Sequence, residues 1–282
     1  MIIAAEALGV DPQRIRILRP DTQTAIESGP TVASRATMLG GNATRVAAAR
    51  LNLLLTWAAA NALHCQPAQI HRADGMFIGP DENPLSFDET AKHAREMGLS
   101  MHTQGKWEMP HLEWDFEKGT GRPYHCYTFG AQIAEVETNL TTGKIRVTGV
   151  WAAHDGGRII YSNGAYGQMY GGITQGLGYA LTENMTYVDG YPQSINLLDY
   201  HIPNAKEVPP IEATFIQSHY PDGPYGAMNL AEPVMLATAP AIANAVFHAV
   251  GKRTHAIPIR LSEKAAPVKY TPEDYWLKLG LK

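Results

Sequence analysis

The sequence predicts an α+β fold, and three observations carry that prediction. Apolar residues recur at steps of three and four over 35–62, Tyr127–Glu137 and Lys144–Ala153 alternate around a turn, and no regular strand–helix–strand spacing links them. With 282 residues the chain can bury a substantial core yet sits near the size at which one core divides, so two mixed subdomains are expected. The expected division is a partial first subdomain over 1–100, a crossing loop over 101–126 and a second subdomain over 127–282.

Met1 to Leu8 is apolar and helical, stopped by Gly9, and Asp11-Pro12 make a turn before an alternating strand at Arg14–Leu18. Its abrupt beginning suggests a fragment, or a subunit that completes its fold against a partner. Residues 20–34 are turn-rich, with Ser34 expected as the N-cap of the helix that follows. Gly40-Gly41 weaken that helix and suggest a close backbone neighbour. Ile70–Ile78 reads as a hairpin around Asp74-Gly75, and Ser86 with Glu89 forms a capping box ahead of the helix Phe87–Met97.

The connection over 102–125 is long enough to cover a site or cross between subdomains. Gly164–Glu183 reads as a helix with six glycines, which at about 1 kcal/mol each would melt unless tightly packed. A hairpin at Met185–Tyr191, a strand at Ile211–Ser218, a loop over 220–233 and helices at Thr238–Val250 and Thr271–Gly280 complete the reading.

Composition excludes several classes. A net charge of -4 gives no footprint for nucleic acid or anionic lipid. The N-terminus lacks a basic region, no apolar stretch is expected to reach membrane length, and a cytoplasmic location is expected. Two cysteines, Cys65 and Cys126, cannot form a four-ligand zinc site or hold an iron–sulfur cluster. There is no phosphate loop, zinc-protease or nucleophile-elbow motif, and the histidine spacings match no metal site.

Three places ask for chemistry. Thr31 and Ser34 precede a helix, where hydroxyls and free amides either cap it or hold ligand oxygens. Gln168, between Gly167 and Gly171, either bonds its own tightly packed helix or presents its amide to a polar cofactor that the glycines admit. Glu232 lies among apolar residues. A desolvated carboxylate holds its proton more tightly than in water, which suits a general base; the simpler reading is a helix-terminal glutamate.

These places sit in four runs: PYHCYTFGAQIAEVETNLTTGKIRV, HDGGRIIYSNGAYGQMYGGITQGLGYALTENMTY, LLDYHIPNAKEVPPI and GAMNLAEPVMLATAPAIANAV. Together they resemble the C-terminal part of the molybdenum-binding subunit of the xanthine dehydrogenase and aldehyde oxidase family, the molybdenum hydroxylases. The resemblance implies a molybdopterin cofactor, in its dinucleotide form. Thr31 and Ser34 match a T-x-x-S element that bonds it, with Ala36 where many members carry another hydroxyl and Thr37 nearby. Gln168 matches the glutamine that reaches the molybdenum region, and Gly167 and Gly171 permit close approach. Glu232 matches the catalytic base of G-A-K-G-x-G-E, although Met228, Asn229 and Ala231 depart from that pattern; no side chain here is expected to ligate the metal.

The implied reaction is water-derived hydroxylation of an N-heterocycle, xanthine- or nicotinate-like. Alternatives are an aldehyde oxidoreductase of the same family, a non-catalytic subunit that keeps the fold, and a carbohydrate- or peptide-binding module using Trp107, His111 and Trp114. The small-molecule pocket would be walled by Thr103–Trp114 and His219–Asn229. Expected partners are a chain with the remaining molybdenum subdomains, an iron–sulfur subunit with 2Fe-2S clusters and an FAD subunit, with no nucleic acid and no membrane.

Overall fold

The structure, a computed structural model, describes residues 1–18, 21–23 and 26–261. The helix expected at Thr271–Gly280 lies outside them. Two compact units form an α+β fold: Met1–Tyr127 with Gly157–Tyr161 and Ser218–Asn229, and the stretches between and after these.

In the first unit, α1 (Ile2–Leu8) stops at Gly9, whose positive φ of 64° lets its amide turn back onto the Ala5 and Glu6 carbonyls. The strand expected at Arg14–Leu18 is absent. Asp11 instead caps a single turn at Pro12–Arg14, its carboxylate accepting from the Gln13 amide at 2.7 Å, and residues 15–18 pair with no strand. α2 (Ala36–Ala62) runs 27 residues. A Cβ on Gly41 would lie 2.8 Å from both Ile3 and Pro224, so the glycine is what lets α1 and the later loop seat against the helix.

β1 (His71–Ala73) and β2 (Met76–Ile78) form the expected hairpin, with positive φ at both Asp74 and Gly75 as that tight turn requires. β3 (Pro84–Ser86) adds a third antiparallel strand, and the reciprocal Ser86–Glu89 box starts α3 (Phe87–Glu96). Leu55, Ala58, Ala59, Phe77 and Ala94 make the core.

The connection over 102–125 contains a small hairpin, β4 (Trp114–Asp115) with β5 (Thr120–Gly121), and belongs to this unit. Its beginning is strapped to α2. Thr103 donates to the Ala47 carbonyl at 2.9 Å, Arg50 donates to the Gln104 carbonyl at 2.6 Å, and a Cβ on Gly105 would sit 2.0 Å from the Ala43 carbonyl oxygen.

The second unit opens with β6 (Gly130–Thr138) and β7 (Ile145–Asp155), antiparallel as the alternation predicts. Asn139 builds the turn by accepting from the Thr141 and Thr142 amides. α4 (Ser162–Leu181) follows, then β8 (Tyr187–Val188) and β9 (Tyr191–Pro192) as a short hairpin. β10 (Ile211–Ile216) pairs parallel to β7, giving the sheet order β10–β7–β6. α5 (Ala231–Val250) begins seven residues earlier than expected, because Pro233 falls in the first turn, where a missing amide removes no helical bond.

By length and composition alone α5 could cross a membrane, contrary to expectation. Here Val234, Ile242 and Val246 enter a core with Val150, Met169, Ile173 and Leu177.

Candidate functional site

At the head of α2, Ala33 and Ser34 both adopt left-handed backbone, with φ of 54° and 53°. This conformation costs an L-residue roughly 1–2 kcal/mol, and such strain concentrates where a ligand is held. Ser34 is therefore not the N-cap: that position falls to Arg35, whose side chain donates to the Pro30 carbonyl at 2.8 Å and makes no cap. Thr31, Ala36 and Thr37 are exposed and Ser34 is half-buried. The helix thus opens on a strained, hydroxyl-bearing turn.

The glycines of α4 divide between two faces. A Cβ on Gly172 would lie 3.0 Å from Val234, and one on Gly176 only 2.4 Å from Thr238. Residue numbers rise together on both helices, so α4 and α5 run parallel, with the Val234 and Thr238 side chains seated on the α4 backbone. On the other face Gly167 and Gly171 have nothing within reach of a Cβ. Gln168 is exposed there, as is Gln175; the buried, backbone-bonded glutamine of the simpler reading is not found, because Met169, Ile173 and Leu177 take the inward positions.

Glu232, in the first turn of α5, is likewise exposed, so its apolar sequence neighbours do not desolvate it within this chain. Gln168 precedes the Gly172 contact by one turn, and Glu232 precedes Val234 by two residues. Both therefore stand at the same end of the helix pair.

The loop 220–229 belongs to the first unit and is fixed by its own backbone. Gly157 bridges to Ala227, the Arg158 amide donates to the Gly226 carbonyl at 3.0 Å, and Ala227 donates to Pro224 at 3.1 Å. Met228 is buried against Gly157 and accepts from the Ser218 hydroxyl through sulfur at 3.5 Å. Neither Asn229 nor Ala231 adopts positive φ, and Ala231 simply starts α5, so the backbone angles here do not demand glycine. The Asn229 side-chain oxygen Oδ1 is buried with no partner, three residues before Glu232.

Trp107, His111 and Trp114 are not brought together. Trp107 packs edge-on against His125, with centroids 6.5 Å apart, and His125 against Tyr220 at 5.8 Å. His111 and Trp114 line a separate open hollow with Phe116 and Tyr124. Among the described residues no group of three or more His, Cys, Asp or Glu side chains could hold a metal ion.

Three residues escaped the sequence reading. Gln132 on β6 donates to the Val234 carbonyl at 2.7 Å and lies 3.0 Å from His154 Nε2, while the Thr238 hydroxyl donates to its Oε1 at 2.7 Å. His154 is 3% exposed and Thr238 is 1% exposed. Burial pushes the His154 pKa below the usual imidazole value. For Gln132 and His154, a polar residue on the inward side of β6 and of β7 was the available signal; Thr238, on α5, had none.

Residues 1–209 match the family model of the molybdopterin cofactor-binding domain. The chain is 30% identical over 254 residues to the probable hypoxanthine oxidase XdhD of Escherichia coli, covering 88% of this chain and 25% of that protein. It is 28% identical to the aldehyde oxidoreductase of Megalodesulfovibrio gigas, over 90% of this chain and 25% of the relative. A subunit of the 6-hydroxypseudooxynicotine dehydrogenase complex of Paenarthrobacter nicotinovorans is 29% identical, over 90% and 32%. The chain thus spans a quarter to a third of these relatives. Among solved structures, the Desulfovibrio gigas aldehyde oxidoreductase superposes with a TM-score of 0.74 at 29% identity, covering 91% of this chain and 26% of that one.

Proposed function

The chain belongs to the molybdopterin cofactor-binding domain family, and from that premise we propose that it is the cofactor-binding, base-carrying part of a molybdenum hydroxylase acting on an N-heterocycle. The observation that carries the proposal is the helix pair whose glycine contacts put Gln168 and Glu232 at one end. An aldehyde substrate is equally compatible with this chain, since the relatives include both kinds of enzyme.

Each unit carries groups of the kind a molybdopterin would bond. Thr31 and Ser34 offer hydroxyls at a strained turn ahead of α2, suited to pterin or phosphate oxygens. Gly167 and Gly171 leave open space beside the Gln168 amide, and the orphaned Asn229 oxygen accepts a donor. When bound, the cofactor supplies the two-electron oxidation and the oxygen transferred to substrate. Glu232 takes the proton at a carboxylate oxygen, and Gln168 orients polar groups by its two donors and one acceptor. Closure by a cofactor and a partner chain would supply the desolvation that this chain does not provide at Glu232.

The rest of the assembly is inferred with it: a chain with the remaining molybdenum subdomains, and iron–sulfur and FAD subunits that carry electrons away. Glu232→Gln in the assembled enzyme should keep molybdenum content and lower turnover by about 10²–10⁴-fold, the usual contribution of a positioned base. Unchanged turnover at full molybdenum loading rejects Glu232 as the base.

A further inference from the structure

One proline weakens α5 within its first half. Pro240 has no amide for the carbonyl of Leu236, whereas Pro233, in the first turn, removes no helical bond. The helical segment that carries Glu232 therefore lacks one bond to the rest of its own helix. It is tied to the sheet as well.

The bonds of that tie permit one arrangement only. The Val234 carbonyl can only accept, so it fixes the Gln132 NH₂ toward itself and the Gln132 oxygen toward Thr238. The second hydrogen of that NH₂ then points at His154 Nε2, which must be an unprotonated acceptor, with the ring proton on Nδ1. The ring lies directly over Gly130, where a Cβ would lie 2.2 Å from Nδ1, so it cannot shift toward that strand. Gln132 thus grips α5 at two successive turns, two and six residues beyond Glu232.

We propose that Gln132, His154 and Thr238 form a clamp that positions the first turns of α5, and with them the direction in which Glu232 presents its carboxylate. The clamp's effect on catalysis rests on reading Glu232 as the base; its effect on the helix does not. Thr238→Val removes the hydroxyl with almost no change of shape, Gln132→Leu removes both donations, and Thr238→Ser keeps the bond.

In the assembled enzyme, hydrogen exchange at the amides of residues 235–238 should quicken about tenfold in Thr238→Val and Gln132→Leu and stay at the parental rate in Thr238→Ser. With molybdenum content unchanged, kcat should fall about tenfold while KM stays within about twofold, as expected when a reacting group is misplaced rather than substrate binding lost. Parental exchange at these amides in folded Thr238→Val overturns the clamp outright. Faster exchange with parental kcat, in an enzyme that Glu232→Gln inactivates, overturns its role in positioning the base. If Glu232→Gln itself leaves turnover intact, the base assignment fails, and the exchange result alone decides the clamp.

Discussion

His154 is the residue where buried chemistry is most tightly specified. Its ring is enclosed by Gly130 and the Gln132 amide, and burial lowers its pKa because the charged ring would lose water without gaining an acceptor at Nε2. A depressed histidine stabilises the native state fully above its unfolded value of about 6.5, and that contribution is lost as pH falls through the lower folded value. Thermal unfolding followed between pH 7.5 and 5 should show the midpoint dropping more steeply in the parent than in His154→Asn. Equal slopes would place the titration elsewhere. The partnership itself was not legible in the sequence, since Gln132 and Thr238 are 106 residues apart and no local pattern couples them. Glu232 and Gln168, by contrast, were singled out through their neighbours, yet those neighbours did not foretell their exposure: apolar flanks say little about burial at the first turn of α5, where side chains fan outward.

At the scale of the element, the glycine-rich α4 was read half correctly. Gly172 and Gly176 are pressed against α5, as close packing demands, but Gly167 and Gly171 face open space. Within each set the glycines are four residues apart, and the Met169–Ile173–Leu177 stripe marks which set is inward. Gly176→Ala would put a methyl group 2.4 Å from the Thr238 Cβ and force α4 and α5 apart. Overpacking of this kind costs about 1–3 kcal/mol, to be read as a lower urea midpoint with an unchanged slope. Gly171→Ala, with open space around it, should not lower the midpoint. Elements with a local signal, such as the Ser86–Glu89 box and the Asn139 turn, were readable from sequence. The start of α5 was not, because Pro233 signals a break in a helix interior and an entry in its first turn, and only the fold distinguishes the two.

For the whole molecule, the division into units is the part that a consecutive reading could not supply. Gly157–Tyr161 and Ser218–Asn229 return to the first unit, tied there by the Arg158–Glu6 ion pair, the Asn42 amide donating to the Asp222 carbonyl and the Tyr220 hydroxyl donating to the His125 carbonyl. The chain spans only a quarter of its oxidase and oxidoreductase relatives, and the proposed cofactor would meet groups from the missing portion. Co-expression with a chain that supplies that portion should give about one molybdenum per complex by mass spectrometry, and the present chain purified alone should give far less. Equal loading of the lone chain would refute the shared-cofactor reading.

The parallel pairing of β10 with β7 carries a consequence for biosynthesis. Val150 must wait for Ile211, roughly sixty residues later, so one side of β7 stays uncovered while the intervening chain is made. At about 5–20 residues per second that interval lasts about 3–12 s. An open strand edge is a template for the wrong neighbour, including the same strand on an adjacent nascent chain. Crowded polysomes and fast overexpression should therefore favour aggregates seeded at β7, and slower translation should favour soluble protein.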